Sequence, residues 1–154
     1  LAQIRRVAAP QARVSLVETV FASAQRLYAL VDLEPLPEAL GERLRQAEEA
    51  IYAAADARVR WSPEELASLA SEAGFTEVHV QTEAHRAPRL VTRQHLAQWF
   101  SPGGEKRHTY AAHLARELSP DELTAVRRLF ERQLVQQTVA WTTTVAYLTA
   151  RAGW

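Results

Sequence analysis

The stretch Trp141–Arg151, WTTTVAYLTAR, is rich in β-branched and aromatic residues and carries no charge before its last residue. Such a run reads as a strand. Val145 and Tyr147 fall on one face, and Thr144, Ala146 and Leu148 on the other. With no charged face to turn to water, the strand is predicted inside a sheet. Its place in the fold then depends on which strands it lies between.

Two earlier stretches are candidates. In ARVSLVETV, Ala12–Val20, residues Val14 to Val17 leave hardly any polar side, the pattern of a strand covered on both faces. In WSPEELASLASEAGFTEVHVQ, Trp61–Gln81, the grammar is mixed. Ser62, Pro63 and Glu65 form a capping box with proline at the first helical position. Leu66, Leu69, Ala70 and Ala73 make one apolar stripe, and Gly74 supplies the left-handed residue that closes many helices. From Thr76 to Ala84 the period changes to an alternation in which Val78 and Val80 are separated by polar residues, as on a half-exposed strand. Of these three strands the half-exposed one belongs at a margin. The last strand therefore slots between the other two, in the order first, third, second.

The remaining chain reads mostly as helix. Leu1, Ile4 and Val7 form a short helical end that breaks at Ala8–Pro10. Phe21 to Val31 and Glu38 to Ala55 have helical period, split by EPLP at Glu34–Pro37. HRAPRLVT, His85–Thr92, either extends the second strand or leaves it, and Thr92 can cap a helix through Phe100. SPGG at Ser101–Gly104 reads as a loop. Ser119, Pro120 and Glu122 repeat the capping box and open a helix toward Gln136, with Leu123, Val126, Phe130 and Leu134 on its buried side.

Composition bounds the function. A chain of 154 residues is one domain's worth, long enough to bury about 70% of the surface its unfolded form exposes. Eighteen basic and eighteen acidic side chains cancel, so net charge argues for no nucleic-acid or anionic-membrane surface. The absence of cysteine excludes a disulfide framework, a thiolate nucleophile and a cysteine-based metal site, and it fits a cytoplasmic protein. No apolar run is long enough for a membrane span. There is no methionine, and Leu1 already lies in a helical pattern, so the expectation is a piece of a longer polypeptide.

The segments LAQIRRVAAPQARVSLVET, SPEELASLASEAGFTEVHV and VAWTTTVAYLTAR resemble the fifth, sixth and seventh strands, with their helices, of class I S-adenosylmethionine-dependent methyltransferases. In that family the final strand runs antiparallel between the fifth and sixth. The resemblance implies an α/β fold, the C-terminal part of a Rossmann-like methyltransferase sheet: residues 1–154 as a single partial domain with a helical insertion at about 92–138. The family's turn before the fifth strand usually reads proline, glycine, glycine; here it is Pro10, Gln11, Ala12, so residues with a Cβ occupy positions that suit glycine. More narrowly, AQRLYALVD, AEEAIY and RQLVQQTVAWTTTVAYL resemble the methyltransferase-like region fused behind replication-associated recombination AAA+ ATPases, the MgsA/RarA family. This implies as partners the missing N-terminal half of the same domain, an AAA+ ATPase and, through it, DNA, with no membrane.

The cofactor implied for the complete domain is S-adenosylmethionine. Its glycine-rich cradle after a first strand is not encoded here: none of the five glycines lies in a strand–turn–helix context. No cofactor is expected for this chain alone, and the fragment alone is expected to be inactive. Candidate substrate-pocket residues are Glu18, at the carboxyl end of a strand, Gln25, Arg26 and Tyr28 on the following segment, and Glu49 and Tyr52, with Glu48, on the next helix. These either line a polar pocket, or Arg26 pairs with a glutamate across two surface helices. Trp99 and Trp141, with Phe100, Phe130 and Tyr147, either form an acceptor pocket or pack as core. The histidines, among them His108 and His113 five residues apart, form no ligand set, so no metal is expected. Three functions follow: the substrate-side half of a methyltransferase with helices 92–100 and 119–136 as a lid, a non-catalytic interaction module on an AAA+ ATPase, or a stand-alone protein that dimerises through an open sheet edge.

Overall fold

The computed structural model describes residues 1–53, 61–103 and 109–153. The end of the second predicted helix beyond residue 53, Gly104 of the SPGG loop and His108 lie outside the described residues. Helices α1 (Ala2–Val7), α2 (Glu38–Ala53), α3 (Pro63–Glu72), α4 (Arg93–Trp99), α5 (Tyr110–Leu114) and α6 (Pro120–Leu134) are joined with strands β1 (Arg13–Thr19), β2 (Phe75–Val91) and β3 (Gln137–Ala152). The strands form one three-stranded sheet in the order β1-β3-β2. The last strand thus lies between the first two, and it runs antiparallel to β1, with Val14 opposite Ala150 and Leu16 opposite Leu148. The protein is a mixed α/β chain in which the order inferred from strand polarity holds.

The start signals hold as well. Ser62 Oγ accepts from Glu65 N at 3.1 Å while Glu65 Oε2 accepts from Ser62 N at 2.7 Å, closing the capping box of α3. Ser119 and Glu122 do the same for α6, at 3.3 and 2.8 Å. Gly74 turns the chain from α3 into β2 at φ +87°, and Val78 and Val80 are half-buried between exposed Glu77, His79 and Gln81. Gln11, where the resembled family has glycine, is held at φ +60°, and its amide donates to Ala152 O at 2.9 Å. His85–Val91 continues β2 rather than leaving it; Pro88 is tolerated because β2 is an edge strand.

Two expectations are corrected, and one element is new. Phe21 to Val31 is not an α-helix but two single-turn 3-10 segments, Phe21–Ser23 and Tyr28–Leu30. The amides of Leu27 and Tyr28 are drawn away to the Glu48 carboxylate and are lost to a helical ladder. β1 is not covered on both faces: Val14 and Leu16 are half-buried against helices, but Arg13, Ser15 and Val17 are exposed, Val17 at 58%. β1 is an edge with β3 as its one neighbour among the described residues. Finally α5, which has only five residues, was not foreseen; Thr109 caps it by accepting from Ala112 N at 3.2 Å.

The chain divides into two compact units. Unit 1 comprises residues 1–24, 56–86 and 142–154, and unit 2 residues 25–55 and 87–141, so the region after Thr92 is grouped with α2 and its approach. In unit 1 an apolar cluster of Val20, Leu66, Ala70, Phe75, Ala146, Leu148 and Ala150 lies under α1 and α3. In unit 2 the core gathers Leu44, Leu96, Leu114, Val126, Phe130 and Leu134 with their neighbours. Phe130 is its centre, edge-on to Phe100 at 5.6 Å and tilted against Tyr110 at 6.2 Å.

Candidate functional site

Within unit 2, α2 carries two consecutive glutamates, one buried and one exposed. Glu48 follows the buried residues Leu40, Leu44 and Ala47 on the inner face and is itself fully buried. Its Oε2 accepts from Tyr28 N at 3.0 Å and from the Tyr110 hydroxyl at 2.7 Å, and its Oε1 accepts from Leu27 N. One carboxylate therefore ties α2 to the 3-10 segment at Tyr28 and to α5. Burial raises the Glu48 carboxyl above its ordinary range, against the opposing pull of Tyr110 and the two backbone amides. The Tyr110 phenol is raised well above its own ordinary value, first by burial and then by the Glu48 charge.

Glu49 faces out and takes the other half of the predicted set. Arg26 grips it with two parallel bonds, Nε to Oε1 at 2.8 Å and Nη2 to Oε2 at 2.9 Å. The Tyr28 hydroxyl donates to the same Oε1 at 2.9 Å. The Arg26 guanidinium also lies 3.6 Å from the centroid of Tyr52, one helical turn beyond Glu48, and Tyr52 OH donates to Gln25 O at 3.4 Å. Arg26 is the first cause holding the Glu49 carboxyl below its ordinary range, while burial pushes the Tyr52 phenol up to about 12. Gln25, Arg26, Tyr28, Glu49 and Tyr52 are thus brought together, and Arg26 is committed to an ion pair. Glu48 is the hub of the cluster and Tyr110 its unforeseen member. No spacing rule links Glu48 to a tyrosine sixty-two positions away on a five-residue helix. A bidentate Arg–carboxylate pair and a carboxylate already accepting three bonds form one connected network.

Trp99 and Trp141 also meet in unit 2, with ring centroids 6.3 Å apart. The Arg89 guanidinium lies over the Trp141 ring, 4.2 Å from its centroid, and His95 stacks with Trp99 at 6.3 Å. His95 also completes the cap of α4, its Nδ1 accepting from Thr92 N at 3.2 Å, so the ring is held by structure on both counts.

Glu18 belongs to unit 1 and is exposed near the end of β1. Among the described residues no group of His, Asp and Glu side chains could hold a metal ion, and no helix is long and apolar enough to cross a membrane. The described glycines do not form a cofactor cradle. Gly41 lies inside α2, Gly74 leads from helix to strand, Gly103 is in a loop and Gly153 follows β3, whereas a cradle needs the order strand, glycine turn, helix. No known family model matches the chain, and no curated protein matches it.

Proposed function

We propose that this chain is the substrate-side, C-terminal part of a class I S-adenosylmethionine-dependent methyltransferase-like domain, working within a larger cytoplasmic polypeptide. The observation that carries this reading is the strand order β1-β3-β2 with the last strand antiparallel to the first, the arrangement in which sheets of that family end. The positive φ at Gln11, where the resembled turn has glycine, supports it, as does the outer edge of β1, unpaired among the described residues, which a preceding strand would fill. S-adenosylmethionine does not fit the described residues, which offer no glycine cradle. It would be bound by the N-terminal half of the domain, and this chain's contribution would be to hold and orient the methyl acceptor. The chain alone is expected to be inactive.

A second reading has its own observation. The polar residues expected to line a pocket are bonded to one another, Arg26 to Glu49 and Glu48 to Tyr28, Leu27 and Tyr110. That arrangement suits an interaction module without catalysis, attached to an AAA+ ATPase of DNA recombination or replication maintenance. Calorimetric titration of S-adenosylhomocysteine into this chain and into the longer polypeptide separates the two. Binding to the longer protein alone is the outcome expected for the methyltransferase, and binding to neither leaves the module.

A further inference from the structure

In unit 1 an open groove of about 840 Å3 runs between α1, the carboxyl end of β1 and α3. Its wall is mainly apolar, built from Ile4, Leu16, Phe21, Trp61, Leu66 and Leu69. The volume is that of a small-molecule site, in which apolar wall supplies most of the affinity and a few polar groups select the ligand. Among the described residues, the charged side chains lining this groove are two carboxylates on separate elements, Glu18 on β1 and Glu72 on α3, and no basic side chain lines it. Neither carboxylate has a hydrogen-bond or ion-pair partner among the described residues. Elsewhere in the unit an exposed glutamate near a basic residue is paired: Glu77 meets Arg151 at 2.7 Å.

The groove therefore has a sign. An apolar body with a positive end satisfies both wall and carboxylates, and an aromatic residue in the wall, Trp61, suits a cation further. A neutral ligand of the same shape gains the wall alone, and an anion meets two like charges at close range. We propose that this groove binds small organic cations with an apolar body, primary amines or quaternary ammonium compounds. Binding there needs no cofactor and no residue of unit 2, so it can be tested apart from methyl transfer, although it shares Glu18 with the methyltransferase reading.

The test is calorimetric titration at pH 7 with phenethylamine, 2-phenylethanol and phenylacetate, which share a body and differ in charge. Affinity is expected to fall in that order. Glu18→Gln and Glu72→Gln should each weaken phenethylamine about threefold, the effect of one partly exposed charge pair, and leave 2-phenylethanol unchanged. Leu69→Ala, at a side chain 49% exposed and so neutral for folding, should weaken both. Equal affinity for the three probes, indifference of phenethylamine to both glutamine variants, or binding to this chain that is absent from the longer polypeptide overturns the assignment.

Discussion

Val126 and Val17 are the same residue with opposite fates. In unit 2 Val126 is wholly buried; in unit 1 Val17 stands 58% exposed on a strand whose sequence asks to be covered. Unit 2 closes its core with helices, and even its interior carboxylate accepts three hydrogen bonds, with both oxygens engaged. Unit 1 has helices over one face of its sheet, while Val17 and Tyr147, opposite each other in register, lie on the other. A helix that finds a partner completes its burial locally. A strand needs a neighbour on each edge and a layer on each face, and β1 lacks one of each among the described residues.

The largest effect should come from the closed unit. Phe130 is fully buried and in contact with Phe100 and Tyr110, so Phe130→Ala removes a central ring where collapse is hindered on all sides, at a cost of about 4 kcal/mol. Hydrogen exchange read peptide by peptide should show lost protection across residues 25–53 and 109–141, with α3 retained. Equal loss in α3 would erase the distinction between the units.

Glu48→Ala comes next. It leaves the amides of Leu27 and Tyr28 and the Tyr110 hydroxyl without their acceptor in a buried place, worth about 3 kcal/mol. The two neighbouring glutamates also give opposite pH dependences. The Glu48 carboxyl is raised on folding above its ordinary value of 4.5, so its contribution to stability is full below that pH and is lost as pH rises through the higher folded value. The Glu49 carboxyl is lowered, so its contribution is present above 4.5 and is lost as pH falls through the depressed value. Glu49 is 47% exposed and its effect is correspondingly small. Denaturant midpoints measured from pH 3 to 8 should therefore rise relative to the parent at the alkaline end for Glu48→Gln and lose only a shallow acid limb for Glu49→Gln. Parallel profiles for parent and Glu48→Gln would show that this carboxyl does not titrate with folding.

What the sequence disclosed and what it withheld divide along the same physical line. Caps, the glycine stop and strand alternation are local, each set by residues within four positions, and the structure has them where they were read: Ser62, Gly74, Thr92 and Ser119. Strand order followed from relative polarity, a global inference that needed no contact information. The segment after Val20 was misread because its helical period is real but its amides are claimed by Glu48, twenty residues away. Arg26 with Glu49 was one of two arrangements open from the sequence, and the buried tyrosine that completes the neighbouring hub was invisible to it. The groove was invisible for the same reason, being assembled from three separated elements.

The capping boxes offer a control, since the same grammar opens α3 in unit 1 and α6 in unit 2. Ser62→Ala and Ser119→Ala should each cost about 1 kcal/mol, because each removes one acceptor from one helix start. Similar losses, read as local hydrogen exchange in the two helices, would show that the units differ in closure and not in the quality of their elements. A much smaller loss at Ser62 would instead mean that α3 is already loosened by the open sheet beneath it.

The smallest effect on stability is the sharpest test of the open face. Val17 is opposite Tyr147 and exposed, so Val17→Lys trades one solvent-facing side chain for another and should shift the midpoint of this chain by less than about 0.5 kcal/mol. A layer laid over that face changes the arithmetic, because a lysine there would be desolvated without a partner. In the proposed longer polypeptide the same substitution should cost several kcal/mol if the missing half lays a layer over that face, and by light scattering it should dissolve any dimer this chain forms through that face. If Val17→Lys is silent in the proposed longer polypeptide and leaves this chain's light scattering unchanged, that face of β1 has no covering layer to explain its apolar character.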